Sequence, residues 1–162
     1  MTIIGGADGP TSIYIASSSG WISWFGLIIM VLMLIPNALY AIRNRGAENK
    51  CKNKLMNILE QIGRYGCMFL IVFNIGIAEL GFASPESIVV YLMGNAVLLL
   101  AYWVFWIVYA KKPGMFSAMM LAVLPALIFL LCGITLRHWL LTAFALLFGI
   151  AHIYVTYINA KA

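Results

Sequence analysis

Acidic residues are scarce in this chain. It carries five Asp and Glu against ten Lys and Arg, and two histidines, in 162 residues. Charged residues together make up 9%, far below the roughly 25% of an ordinary soluble domain. Long polar stretches are lacking too, so no soluble catalytic domain fits between the apolar runs. Those runs dominate: 64% of the residues are hydrophobic. A water-soluble core cannot absorb that much apolar surface, whereas a bilayer can.

The signatures of several chemistries are missing. There is no HExxH, no GxSxG and no pair of aspartates within an apolar run, which removes the common metalloprotease, serine hydrolase and aspartyl protease readings. Cys51, Cys67 and Cys132 are scattered, with no CxxC and no even set, so they form neither a disulfide framework nor a thiol-exchange pair and read as inert fillers. His138 and His152 fall on one apolar run, and their spacing sets them about 21 Å apart along a helix, too far to share one haem. The net charge of +5 does not call for nucleic acid. Arg43, Arg45, Lys50, Lys52 and Lys54 are gathered in one connection between apolar runs, a topological pattern.

What is present is a series of spans. A helix crossing a bilayer needs about 20 mostly apolar residues, and five segments qualify: 21–42, 61–82, 87–110, 115–136 and 138–158. The expected fold is therefore all-α, a polytopic membrane protein with five transmembrane helices in an antiparallel bundle. A polar segment, 1–20, precedes the membrane domain, 21–162. Ser84 followed by Pro85 reads as a helix cap and first turn, and the short links "KKPG" and "LRHW" read as tight returns between neighbours. Nothing ahead of the first span reads as a cleaved leader. The Lys and Arg bias puts Arg43, Arg45, Lys50, Lys52, Lys54, Arg64, Lys111, Lys112 and Lys161 on one face and Arg137 alone on the other. The expected placement is the cell membrane, with the N-terminus outside and the C-terminus cytoplasmic. Trp21, Trp24 and Trp139 then anchor the outer interface, and Tyr40 and Tyr157 the inner one.

Polar residues inside spans are functional candidates by default. Glu60 and Arg64, four apart, are expected to form an ion pair at the start of the second span. Asn37 follows Pro36, which leaves a carbonyl free one turn earlier, and Asn37 is placed to cross-link helices. His152 lies about 20 Å in from the outer end of its span. Asn37, Arg64 and His152 are thus expected to share an inner layer. Asn74 and Asn95 fall at matched depth nearer the outer face and are expected to bond to each other, and Glu79 is expected to pair with Arg137. The aromatic run Tyr102, Trp103, Phe105, Trp106 and Tyr109 reads as an interface belt in contact with lipid. Ala118, Ala122 and Ala126, with Ala145 and Gly149, read as close-approach surfaces for a neighbouring helix, and Pro125 as a kink.

The N-terminal phrase "TIIGGADGPTSIYIAS", residues 2–17, stands apart. It closely resembles a GGADGPT-type signature of the β-subunits of sodium-translocating decarboxylases. The resemblance implies that Asp8 is a sodium-binding carboxylate, with Gly9 in the irregular backbone and Thr11 and Ser12 offering further oxygens. Unwound backbone with one carboxylate is a reasonable hard-cation site. The body, 21–162, resembles small clostridial-type bacterial membrane proteins. The expected function is binding or transport rather than catalysis. A sodium-coupled transporter or pump component using Asp8 is one alternative, and a membrane accessory or assembly protein another. Sodium is the one ion implied. The expected partners are the lipid bilayer and a second copy or another membrane protein, with no nucleic acid.

Overall fold

The computed structural model describes residues 21–43, 49–75 and 81–161. Five helices occupy them: α1 (Trp24–Arg43), α2 (Lys54–Val72), α3 (Pro85–Lys111), α4 (Met115–Thr135) and α5 (Trp139–Lys161). Among the described residues there is no strand. One isolated antiparallel bridge joins Ile22 to Phe73. Four of the helices, α1, α3, α4 and α5, are long and apolar enough to cross a membrane.

The helix starts follow local chemistry. At α3, Ser84 and Ser87 cap each other: Ser87 N–H donates to Ser84 Oγ at 3.4 Å and Ser84 N–H to Ser87 Oγ at 3.3 Å. Pro85 opens the helix where a missing N–H costs nothing. Asn53 caps α2 by accepting from the Met56 N–H at 3.3 Å. His138 caps α5, its Nδ1 accepting from the Leu141 N–H at 3.1 Å. An imidazole does here what Ser or Asp usually does.

The second span differs from the expected 61–82. Its helix begins at Lys54 and ends at Val72. The chain leaves the helix at Phe73 because its backbone pairs with the segment entering α1: Ser23 N–H donates to the Val72 carbonyl at 2.7 Å, and Asn74 N–H to the Trp21 carbonyl at 3.0 Å. α2 is also not among the helices apolar enough to qualify as a span on composition. Its surface is nonetheless apolar: Leu55, Ile58, Ile62, Tyr65 and Phe69 are each at least half exposed, while Glu60 is 5% exposed. The charge faces inward and the hydrocarbon outward, the reverse of a helix in water.

α5 is the centre of the packing, held between α2 and α4. Residue numbers rise on α5 as they fall on both neighbours. Phe148 lies against Gly63 and against Phe129, and His152 against Glu60. A Cβ on Gly63 would stand 2.8 Å from the Cα and Cβ of Phe148, so this position must be glycine for α2 and α5 to approach as they do. Ala118, Ala122 and Ala145 are buried, and Gly149 meets Ala126. The small residues work as the close-approach surfaces expected of them. Fully buried Ile128, Phe129, Cys132 and Leu141 fill the space between α4 and its neighbours.

α1 is attached differently, largely by polar tethers. Pro36 leaves the Leu32 carbonyl without its helical donor, and Trp103 Nε1–H of α3 supplies one at 3.1 Å. Asn37 Nδ2 donates to the Tyr102 hydroxyl at 2.7 Å and to the Met33 carbonyl at 2.9 Å. Tyr40 then rests on Trp106 and Tyr109, with ring centroids 5.0 and 5.8 Å away.

Candidate functional site

The α2–α5 contact carries the densest chemistry. Glu60 sits two turns into α2, on the face turned to α5. Its Oε1 accepts from Arg64 Nη2 one turn along the same helix and from His152 Nδ1 of α5 at 2.8 Å. The i, i+4 spacing sets the first contact, and the passage of α5 across Gly63 sets the second. The His152 ring is stacked on Phe148, 4.8 Å between centroids and 16° from parallel, which fixes its plane. The carboxylate is 6% exposed, the imidazole 20% and the guanidinium 39%. The site therefore opens towards its surroundings on the Arg64 side.

One carboxylate thus balances a permanent cation and a titratable ring. The guanidinium keeps its charge at any working pH. The carboxylate–imidazole pair can bind or release a proton while Arg64 holds the geometry. The Asn37–Tyr102 bond between α1 and α3 is a second polar contact. Of the expected association of Asn37, Arg64 and His152, Arg64 and His152 meet through Glu60, while Asn37 bonds to Tyr102.

Two residues have surroundings that sequence reading did not give. Glu60 was expected to pair with Arg64, as it does, but it is also the buried hub that meets His152. Tyr102 was placed in a lipid-facing belt, yet it is 1% exposed. The aromatic run divides: Trp103 and Trp106 turn towards α1, and Phe105 packs edge-on against Phe116 of α4, 5.9 Å away. An interface belt has no reason to place a tyrosine hydroxyl opposite an asparagine. The signal available was the Pro36–Asn37 pair, which demands donors and acceptors on whichever helix faces it.

Nearer the other end, Asn95 is 2% exposed. Its Nδ2 donates to the Tyr91 carbonyl at 2.7 Å, and its Oδ1 accepts from Cys132 Sγ–H of α4 at 3.5 Å. Among the described residues Asn95 pairs with Cys132, not with Asn74. Asn74 lies beyond the end of α2 in extended backbone, so the depth match that predicted the pair does not arise. All three cysteines are free and buried, Cys51 included although it lies in the basic connection. His138 is 2% exposed, and among the described residues its Nε2 has no hydrogen-bond partner. Burial holds its imidazole pKa below the ordinary 6.5.

Asp8, Gly9, Thr11 and Ser12 lie outside the described residues, as does Glu79 of the expected Glu79–Arg137 pair. Among the described residues no three His, Cys, Asp or Glu side chains converge on a metal-sized site. No family model, curated protein or solved structure matched the chain.

Proposed function

We propose that the chain lies in the cell membrane as an antiparallel five-helix bundle and acts by binding or moving a small solute, with a proton held at Glu60–His152, rather than by covalent chemistry. Three observations support the placement. Four helices are long and apolar enough to span. The outer stripe of α2 is apolar while its carboxylate points inward, as a helix in lipid requires. Arg43, Lys54, Lys111, Lys112 and Lys161 fall at helix ends that the packing brings to one side, with Arg137 at the opposite turn. That bias supports a cytoplasmic C-terminus and an outer N-terminus.

The observation that carries the functional reading is the Glu60 carboxylate, buried between α2 and α5 against one imidazole and one guanidinium. Neutral groups tie membrane helices well enough, as Asn37 and Tyr102 do. A carboxylate–imidazole pair adds something a neutral tie does not, a proton that can be exchanged. In liposomes with an entrapped pH-sensitive dye, the protein is expected to dissipate an imposed pH gradient faster than empty vesicles. Glu60→Gln is expected to bring the rate down to that of empty vesicles while inserting normally. A Glu60→Gln protein that conducts like the original, or an original that conducts like empty vesicles, removes the proton from the reading.

A second reading rests on residues 2–17 and their resemblance to the decarboxylase sodium signature. If Asp8 binds sodium, with Gly9, Thr11 and Ser12 around it, sodium should raise the thermal midpoint of the purified protein above that in potassium. Asp8→Asn should abolish the difference. No difference in the original protein rules this reading out.

A further inference from the structure

A groove of about 670 Å³ runs along the outside of the bundle between α4 and α5. We propose that it is a binding site for one anionic phospholipid, an acyl chain lying in the groove and the phosphate at Lys161. The inference rests on the membrane placement above and adds a ligand to it.

The groove exists because the helices meet through small residues. Ala126 faces Gly149, where an added Cβ would stand 3.1 Å from the Ala126 Cβ. Two helices this close leave a furrow on their outer side, with no side chain from the meeting point to fill it. Leu130 and Leu146 line one end and Tyr154 and Tyr157 the other. The walls are hydrocarbon throughout, and the second end is formed by the two tyrosines, each about two-fifths exposed. An amphipathic ring is favoured at the level of lipid headgroups.

A cation lies just beyond that end: Lys161 Nζ is 5.9 Å from the centroid of the Tyr157 ring, a contact that draws the ammonium towards a residue of the groove. Lys111 and Lys112, both exposed, lead into α4 at the same end. Among the described residues no exposed acid offsets them: Glu60 is buried and Glu86 opens α3 at the far end. An apolar trough with positive charge just beyond one end matches a molecule with a long apolar tail and an anionic head. A second copy of the chain fits less well. A two-fold axis along the membrane normal would set Lys161 and Lys112 of each copy against those of the other.

The test uses the full chain in detergent, titrated with phosphatidylglycerol or phosphatidylcholine of identical acyl chains and read by native mass spectrometry. One phosphatidylglycerol is expected to be retained in preference to phosphatidylcholine. Lys161→Ala should weaken the preference about fivefold, the effect of one lysine near an anionic headgroup. Ile150→Trp changes a side chain that lines the groove and is 67% exposed, and should fill the furrow without touching the core. It is expected to lose both lipids while keeping the unfolding midpoint of the parent. Equal retention of both lipids by the original protein, or retention indifferent to Lys161→Ala and Ile150→Trp, overturns the site. So does a two-chain species that Ile150→Trp dissociates. Failure of the chain to float with liposomes would instead strike the membrane placement itself, separating the two outcomes.

Discussion

The two histidines of α5 compare two ends of one bundle. His152 stands one third of the way in from the basic end, in hydrogen-bond contact with a carboxylate that also holds a guanidinium. His138 stands at the opposite turn, more deeply buried, and among the described residues it has no charged partner and one ring nitrogen unmatched. The first ring sits beside a carboxylate, whereas the lone pair of the second serves as a helix cap. The same side chain is a titratable partner in one place and a neutral structural acceptor in the other, and only its neighbours differ.

The largest disturbance of this contrast should come from Gly63→Leu. The new side chain has nowhere to go against the Phe148 backbone, so α2 must move off α5 and Glu60 leaves His152. A loss of about 3 kcal/mol is expected, an overpacking cost, read as a lower midpoint in denaturant. The far end should be spared, so the protection of α5 amides near His138 against hydrogen exchange should fall less than that near His152. Equal loss at both ends would mean that the two sites are one cooperative unit.

Acid should act on the other half of the comparison. The folded state holds His138 below its ordinary value of 6.5, so the unfolded chain binds this proton more readily. Stability is therefore fully present above about pH 6.5 and declines as pH falls from there towards the folded pKa. Protonated, Nδ1 becomes a donor facing the Leu141 N–H, and the cap is lost. Thermal midpoints measured from pH 8 to pH 5 should fall, and His138→Asn, which keeps a capping acceptor without a titrating group, should flatten the slope. A slope unchanged in His138→Asn assigns the acid sensitivity elsewhere.

The smallest effect is expected for Asn37→Ala. It removes the tether to Tyr102 but leaves the Leu32–Trp103 bond, and an interhelical hydrogen bond in a membrane protein is worth about 0.6 kcal/mol. Asn37→Ala also tests the extent of the site: a proton flux altered by it would join α1 and α3 to Glu60. A flux unchanged would confine the site to α2 and α5.

Much of this was readable beforehand where a single physical rule governs. Helices α3, α4 and α5 fall within a residue or three of the expected spans, because uninterrupted apolar runs bounded by Ser84–Pro85, Lys112–Pro113 and Arg137–His138 leave little choice. The Glu60–Arg64 pair follows from helical spacing alone. α2 was misplaced because its ends are set by partners, the backbone of Trp21–Ser23 at one end and the Asn53 cap at the other. The Asn74–Asn95 pairing failed with it, since it assumed that a helix continued past Val72. Tyr102 and Asn95 show the limit of periodicity: a helix that is apolar all round has no polar face to announce which side is buried, so the rotation of α3 is invisible in its own sequence.

The sequence alone determined composition, and composition pointed to helices long and apolar enough to cross a membrane, four of which the described residues hold; backbone amides in apolar surroundings are best bonded within their own segment. It also determined that charges gather in the connections, since a charge within a span needs a partner. Tertiary structure decided which polar groups meet. Gly63 brings α5 close enough for His152 to reach Glu60, and Pro36 exposes a carbonyl that draws Trp103 across from α3. Those encounters depend on the rotation and closeness of helices far apart in the chain, which are set by side-chain shape at the contacts and not by hydropathy.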